Sequence, residues 1–329
     1  MAEEKIPVAV IAGPTASGKT ALAVEIALRH QGEVVSADSM QVYDEMQIGT
    51  ARPDKTETRG IPHHMQGFLS PGTPFSVAEY VEKAGACIRE IHRRGKLPVL
   101  AGGTGLYIRS LLHGVRFDEM PENPQLRREL AARSESDPEG LWQELKAIDP
   151  AAAAAIHPNN RKRVVRALEV YHLTGTPFSV QSRQAAEGDS PYRWSMVGLG
   201  FHNREALYER INRRVDVMME QGLLEEAKAF LEKYPDGTAS QAIGYKELRP
   251  YFAGALSLEE ALENIRRETR RYAKRQLTWF RREEGIHWLF VDEPEQDLSS
   301  ERSCLARLAD EAEEIFAQDG ILQSGRSDG

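Results

Sequence analysis

The 329-residue sequence predicts an α/β fold: a parallel sheet flanked by helices, with a helical segment inserted into it. Two units point to the sheet. IPVAVIAG (6–13) is a short buried-type apolar run that enters a glycine-rich loop and then a helical pattern over Ala21–His30, and KLPVLAGGTGLYIRSLL (96–112) repeats that order. Strands alternating with helices imply parallel pairing through crossovers. EVVSADS (33–39) is a second strand, and 74–95 reads as a helix stopped by Gly95. The texture then changes. Segment 117–191 is helical in pattern, with Pro and Asp-Pro breaks and no strand, so it reads as an insertion between core segments 1–116 and 192–315. WSMVGLGF (194–201) returns to the sheet, helical blocks follow at 203–233 and 257–284, and HWLFVD (287–292) is a last strand. Residues 316–329 read as a frayed tail.

Composition describes an ordinary globular chain, 41% hydrophobic and 28% charged. Two distant cysteines exclude a disulfide framework and favour a reducing compartment. No signal-peptide core and no apolar run of membrane-spanning length is visible, so a cytoplasmic protein without a membrane partner is expected, acting as a monomer. The net charge of −8 speaks against a nucleic-acid partner only until its distribution is read. Residues 266–282 hold eight Lys/Arg and one acid, whereas 283–329 hold thirteen acids and three Arg. An acidic tail masks a basic interior.

Gly13-Pro14-Thr15-Ala16-Ser17-Gly18-Lys19-Thr20 fits the phosphate-loop pattern G-x-x-x-x-G-K-[ST], with an apolar strand before it and a helix after. Glycines let backbone N–H groups curl around a diphosphate at the positive end of the helix. Lys19 supplies a mobile charge to phosphoryl oxygens, and the Thr20 hydroxyl is the expected Mg²⁺ contact. The pattern extends the fold expectation to a P-loop NTPase-like sheet. It leaves open which polyphosphate is bound, and a nucleotide kinase or ATPase remains an alternative. Such an enzyme needs a second acidic anchor at a strand end. LPVLAGG ends in glycines, and LFVDE (289–293) reads better as a last strand running into a loop.

Ser36-Ala37-Asp38-Ser39-Met40-Gln41 places a carboxylate just past a strand beside the phosphate loop, on the edge where open α/β sheets bind ligands. Asp38 suits a general base, but position alone equally allows a helix cap or a water-mediated Mg²⁺ anchor. Thr104, in Gly102-Gly103-Thr104-Gly105, brings a hydroxyl to the same edge, unless it only serves the turn. His63-His64 has no ligand-spaced carboxylate or cysteine, which favours packing or polar support over a metal.

Three basic sets recur at helical spacing. Arg161, Lys162, Arg163 and Arg166 start a helix of the insertion, with Val165 and Leu168 available for packing. Arg210, Arg213 and Arg214 follow the returning strand, and Arg266, Arg267, Arg270, Arg271, Lys274 and Arg275 form two rows. Like charges at i, i+4 repel, so such helices are expected to meet anions or interleaved acids. A solvated charged face explains any single set. Three sets beside a phosphate loop favour a nucleic-acid surface, with salt-sensitive binding.

In order along the chain, GPTASGKT, ADSMQVY, MQIGTARP, PHHM, GGTGLY, RKRVVRALEV, GYKEL and KRQLTWFRR resemble the motif series of the tRNA dimethylallyltransferases, over about Ile6 to Leu289. The departures are mild: Ala37 and Arg52 stand where Val and Lys are common. The resemblance implies transfer of a dimethylallyl group from dimethylallyl diphosphate to N6 of adenine 37, in the anticodon loop of tRNAs reading codons that begin with U. The phosphate loop would hold the donor, Asp38 would act as general base, and Thr104 and Arg127 would contact the acceptor. Asp38, Ser39, Met40 and Gln41, and Lys162, Arg163, Val164, Val165 and Arg166, would lie along the tRNA, and Arg210 and Arg214 are added to that surface from their spacing. The rival prenyl transfer to free AMP or ATP would not need the large insertion.

Overall fold

A computed structural model describes residues 4–115, 117, 123–186, 189–293 and 301–322. The chain divides into two compact units, His113–Ser190 and the remainder. The larger unit opens with β1 (Ile6–Ala12), α1 (Lys19–Arg29), β2 (Glu33–Ala37), α2 (Lys55–Thr58), β3 (His63–His64), α3 (Val77–Arg93), β4 (Pro98–Gly102) and α4 (Gly105–Leu112). The insertion follows with α5 (Pro124–Ser136), α6 (Pro138–Ile148), α7 (Pro150–Ala155), α8 (Arg161–Thr174) and α9 (Phe178–Ala186). The larger unit resumes with β5 (Tyr192–Gly200), α10 (Arg204–Glu220), α11 (Leu223–Lys233), α12 (Arg249–Phe252), α13 (Leu258–Phe280), β6 (Ile286–Phe290) and α14 (Glu301–Gln318).

All six strands are parallel, in the order β3-β2-β4-β1-β5-β6. Alternating side chains divide the core between the two faces. Val8, Val10 and Ala12 pack with α3 and α4, whereas Ala9 and Ile11 pack with α1 and α14. Ala12 of β1 and Ala37 of β2 both register with Gly102 of β4, so the turns after all three strands leave the sheet at one edge. A Cβ at Gly102 would collide with the Ala37 backbone, which is why glycine stands there.

One expectation needs correction. Residues 316–322 are not frayed: Phe316 is fully buried, Ile321 and Leu322 are buried beside it, and all three join the core on the α1 face. Residues 323–329 lie outside the described residues. At the sheet edge, β3 is a strand of only two residues. Two residues carry no periodicity, and they are held by pairing with Val34 and Val35 and by His64 Nε2 meeting buried Glu33 at 2.7 Å. Arg94 and Lys96 also ion-pair with Glu33, and the Arg94 hydrogen bond leads in holding its carboxyl far below the usual range.

Within the insertion, Asn123, Asp137 and Asp149 each cap a helix with a side-chain oxygen, and proline follows each at the first helical position. The cap satisfies an orphan N–H and proline's missing donor costs nothing there, so the apparent breakers are start signals. Leu130, Leu141, Leu145, Val164 and Leu168 form a core of the insertion's own.

Candidate active site

The site assembles at the edge where β1, β2 and β4 end. Gly18 adopts a left-handed conformation (φ 92°) to enter α1, and Gly13 has no room for a side chain between Ser17 and Leu199. Between them the loop curls with Ala16 at φ 62°, a left-handed position that alanine tolerates only under constraint. One constraint is visible: Arg210 Nε donates to the Ala16 carbonyl at 2.9 Å. Lys19 reaches back to the Pro14 carbonyl at 3.0 Å. Burial, then the neighbouring Arg214 cation, push the Lys19 ammonium down to about 8, against the opposing pull of Asp38. Burial also lowers Arg214. A cation-rich pocket that depresses its own cations is one that an anion would relieve. The Ser17 hydroxyl is buried in the same loop with no hydrogen-bond partner among the described residues.

Across a shared cavity of about 300 Å³ stands the second chemical group. Asp38 follows β2, and its Oδ1 accepts from Met40 N at 2.9 Å and Gln41 N at 3.3 Å. Both cavity ends carry polar groups, with Thr15, Lys19 and Thr20 from the phosphate loop and Asp38, Ser39 and Gln41 from the turn after β2. Ile211, Val215, Met218, Ile243 and Ile265 supply apolar wall. Thr104 does not line the cavity. Its hydroxyl accepts from Ser39 N at 3.1 Å and shares a hydrogen bond with Tyr272, so it braces the turn that carries Asp38. His63 lines the cavity with Nδ1 on the Ile61 carbonyl, and burial lowers its pKa. Among the described residues no cluster of three or more His, Cys, Asp or Glu could hold a metal ion.

The structure places the basic residues in different settings. Arg210 and Arg214 face the phosphate loop and the cavities beside it. Val164 and Val165 are buried in the insertion core, where hydrophobic side chains on the inner face of α8 belong, and offer no side chain to a ligand. Lys162 and Arg163 are exposed on that helix. Arg127 and Arg166 converge on Glu169, which is 2% exposed: Arg127 Nε donates at 2.7 Å and Arg166 Nη1 at 2.8 Å. Burial alone would raise the Glu169 pKa, but these hydrogen bonds outweigh it and hold the carboxyl below its usual range. On α13, acids are interleaved after all. Arg266 pairs with Asp216, Arg270 with Glu263, and Arg271 with Glu268. Asp292, in the sequence that imitates an acidic anchor, accepts from the backbone N–H groups of His202 and Asn203 ahead of α10.

One contributor escaped sequence reasoning. Gln276 of α13, buried inside a run dominated by arginines, accepts from Thr15 N at 2.9 Å and donates to the Gly103 carbonyl at 3.0 Å. It ties the phosphate loop to the turn after β4. A mid-helix glutamine facing inward amid charges was the only signal.

Fold and site together define a phosphate-loop α/β protein in which an anion cradle and a carboxylate open into one cavity. The chain belongs to the IPP transferase family, whose model matches residues 41–283, and a second model, isopentenyl transferase, matches residues 6–65. It is 49% identical to the tRNA dimethylallyltransferase of Caldanaerobacter subterraneus subsp. tengcongensis, over 88% of this chain and 93% of that one. It is 50% identical to the same-named protein of Geobacillus kaustophilus, over 85% and 89% respectively. The fold matches the crystal structure of the tRNA isopentenylpyrophosphate transferase of Bacillus halodurans with a TM-score of 0.70 at 42% identity, covering 96% of this chain and 98% of that one. It also matches a eukaryotic dimethylallyltransferase captured acting on tRNA, with a TM-score of 0.79 at 29% identity, covering 98% and 81%. Among the described residues no helix is long and apolar enough to cross a membrane.

Proposed function

We propose that this chain transfers a dimethylallyl group from dimethylallyl diphosphate to N6 of adenine 37 in tRNAs reading codons that begin with U. Diphosphate is released and N6-(dimethylallyl)adenosine formed. The observation that carries the reading is the single cavity reached from one side by the phosphate loop and from the other by the Asp38 carboxylate, with apolar side chains in its wall. The relatives named as tRNA dimethylallyltransferases support the substrate pair.

In this reading the loop N–H groups and the Ser17 hydroxyl hold diphosphate oxygens, which offsets the cost of a buried hydroxyl left unpaired. Lys19, Arg210 and Arg214 place positive charge where the leaving group gains negative charge. The adenine N6 lone pair is delocalised into the ring, so it attacks weakly unaided. As the N6–C1 bond forms, the C1–O bond breaks with its electron pair on the diphosphate, and Asp38 takes the N6 proton, a contribution of roughly 10²–10⁴-fold. The Thr20 hydroxyl, an oxygen donor lining the cavity at the phosphate loop, suits Mg²⁺, which is commonly held by substrate phosphates, water and few protein oxygens. Thr20 would hold it, and when bound it neutralises charge on the diphosphate.

On the acceptor side, an anticodon loop presents an unpaired base that is cheaper to extrude than one in a duplex. Lys162 and Arg163, with Arg127 and Arg166 organised on Glu169, supply cations for phosphate contacts. The chain acts as a monomer in the cytoplasm under this reading. The test is incubation with labelled dimethylallyl diphosphate and either AMP or unmodified tRNA carrying A36-A37-A38. Label on the tRNA alone is expected. Label on AMP alone would overturn the assignment in favour of free-nucleotide prenylation, and phosphate release from ATP without prenyl transfer would return the chain to the kinase or ATPase class.

A further inference from the structure

Two stretches have no part in the chemistry above: MQIGTARP after the Asp38 turn, and GYKEL between α11 and α12. Both meet at the side chain of Glu226 on α11. Its carboxylate accepts hydrogen bonds from three consecutive backbone N–H groups, those of Gln47 (3.1 Å), Ile48 (2.9 Å) and Gly49 (2.9 Å). It accepts a fourth from the Tyr245 hydroxyl at 2.7 Å. Tyr245 is fully buried, and a Cβ on Gly49 would collide with its ring, so the loop can close on the tyrosine only with glycine at 49. Hydrogen bonds to a charged acceptor are stronger than neutral ones, and four on one carboxylate fix a loop tightly.

That loop leads back to the chemistry. The carbonyls of Thr50 and Ala51, whose residues line the cavity, both accept from Gln41 Nε2 at 3.2 Å. The Gln41 backbone N–H in turn donates to Asp38 Oδ1 at 3.3 Å. Glu226 does not itself line the cavity, so it does not touch the reacting atoms. We propose that Glu226, with Tyr245, is a positioning residue: it sets the cavity wall at Gly49–Ala51 and, through Gln41, the orientation of the Asp38 carboxylate. The proposal rests on Asp38 being the general base.

The experiment is a double-mutant cycle of Glu226→Gln and Asp38→Asn in the full-length enzyme, read by single-turnover prenyl transfer, donor KM, tRNA Kd and thermal melting. Glutamine keeps one acceptor oxygen but turns an NH₂ toward N–H donors. Glu226→Gln alone is expected to slow transfer by about 10–100-fold, the scale of a small misplacement of a catalytic group. Donor KM and tRNA Kd should stay within about threefold. In the Asp38→Asn background the same substitution is expected to cost only a small part of that loss, because there is no base left to misplace. Tyr245→Phe removes one hydrogen bond and keeps the carboxylate, so a milder loss with the same non-additivity is expected from it, and it carries the test if Glu226→Gln does not fold. Wild-type transfer in both variants, or equal losses in both backgrounds, would overturn the positioning role. If Asp38→Asn alone transfers at the wild-type rate, the base assignment falls and the chain of contacts to it loses its meaning.

Discussion

Gln276→Met is the most informative single substitution, because one side chain near the end of the sequence holds together two loops from its first third. Methionine matches glutamine in length and fills its volume, so no cavity results. What is lost is the acceptor for Thr15 N and the donor for the Gly103 carbonyl. A buried polar group left without a partner costs roughly 1–3 kcal/mol. Thr15 lines the cavity, so water can reach its N–H and part of that cost is recovered. Gln276 itself is 5% exposed, so the Gly103 end is not rescued in this way. The sum is a loss of about 2–4 kcal/mol in unfolding free energy. Urea denaturation measures it as a lowered midpoint with an unchanged slope. Because Thr15 belongs to the anion cradle, donor KM should rise in parallel. An unfolding free energy within about 0.5 kcal/mol of wild type, the range of a neutral surface change, with unaltered donor KM would refute the argument that this glutamine sets the spacing of the two loops.

Other outcomes follow from the same geometry. With its pKa pushed down to about 8, Lys19 in the free enzyme is protonated below that pH and loses its charge above it. Donor kcat/KM should therefore fall as pH rises through about 8, where an ordinary lysine would hold to about 10.4. Lys19→Arg should abolish this limb, and a limb that persists in Lys19→Arg assigns it elsewhere. Glu169→Gln releases Arg127 and Arg166 from their shared carboxylate, so tRNA Kd should rise about 5–30-fold, or about 1–2 kcal/mol, with donor KM unchanged. Filter binding over a salt series checks this, and an unchanged Kd would remove these arginines from the RNA contact. Phe316→Ala should cost about 3–5 kcal/mol in stability, the usual penalty for emptying a buried aromatic site. A loss under about 1 kcal/mol would mean that the end of α14 does not pack on the sheet in solution.

The sequence disclosed the elements whose signals are local. Apolar runs bounded by glycine gave five of the strands, and the phosphate loop declared itself through spacing alone, because backbone curvature and charge there depend on consecutive residues. Asp38 was placed correctly beside it since both follow sheet strands. What stayed hidden lies in contacts between distant residues. Thr15 and Gln276 are 261 positions apart, and nothing in either neighbourhood announces the pair. Helical spacing grouped Arg210 with Arg214 but could not say which way that face points, and it faces the phosphate loop. Val164 and Val165 sat within a motif that the resemblance assigned to RNA, yet their side chains belong to the core that shapes α8. Composition alone suggested fraying after 315, and only the apolar spacing of Phe316, Ile321 and Leu322 hinted at burial.

The account stands or falls on the carboxylate that shares a cavity with the phosphate loop. Single-turnover prenyl transfer by Asp38→Asn, at saturating donor and tRNA, should be slower by at least about 100-fold, with tRNA Kd unchanged. Transfer at the wild-type rate by that variant would contradict it.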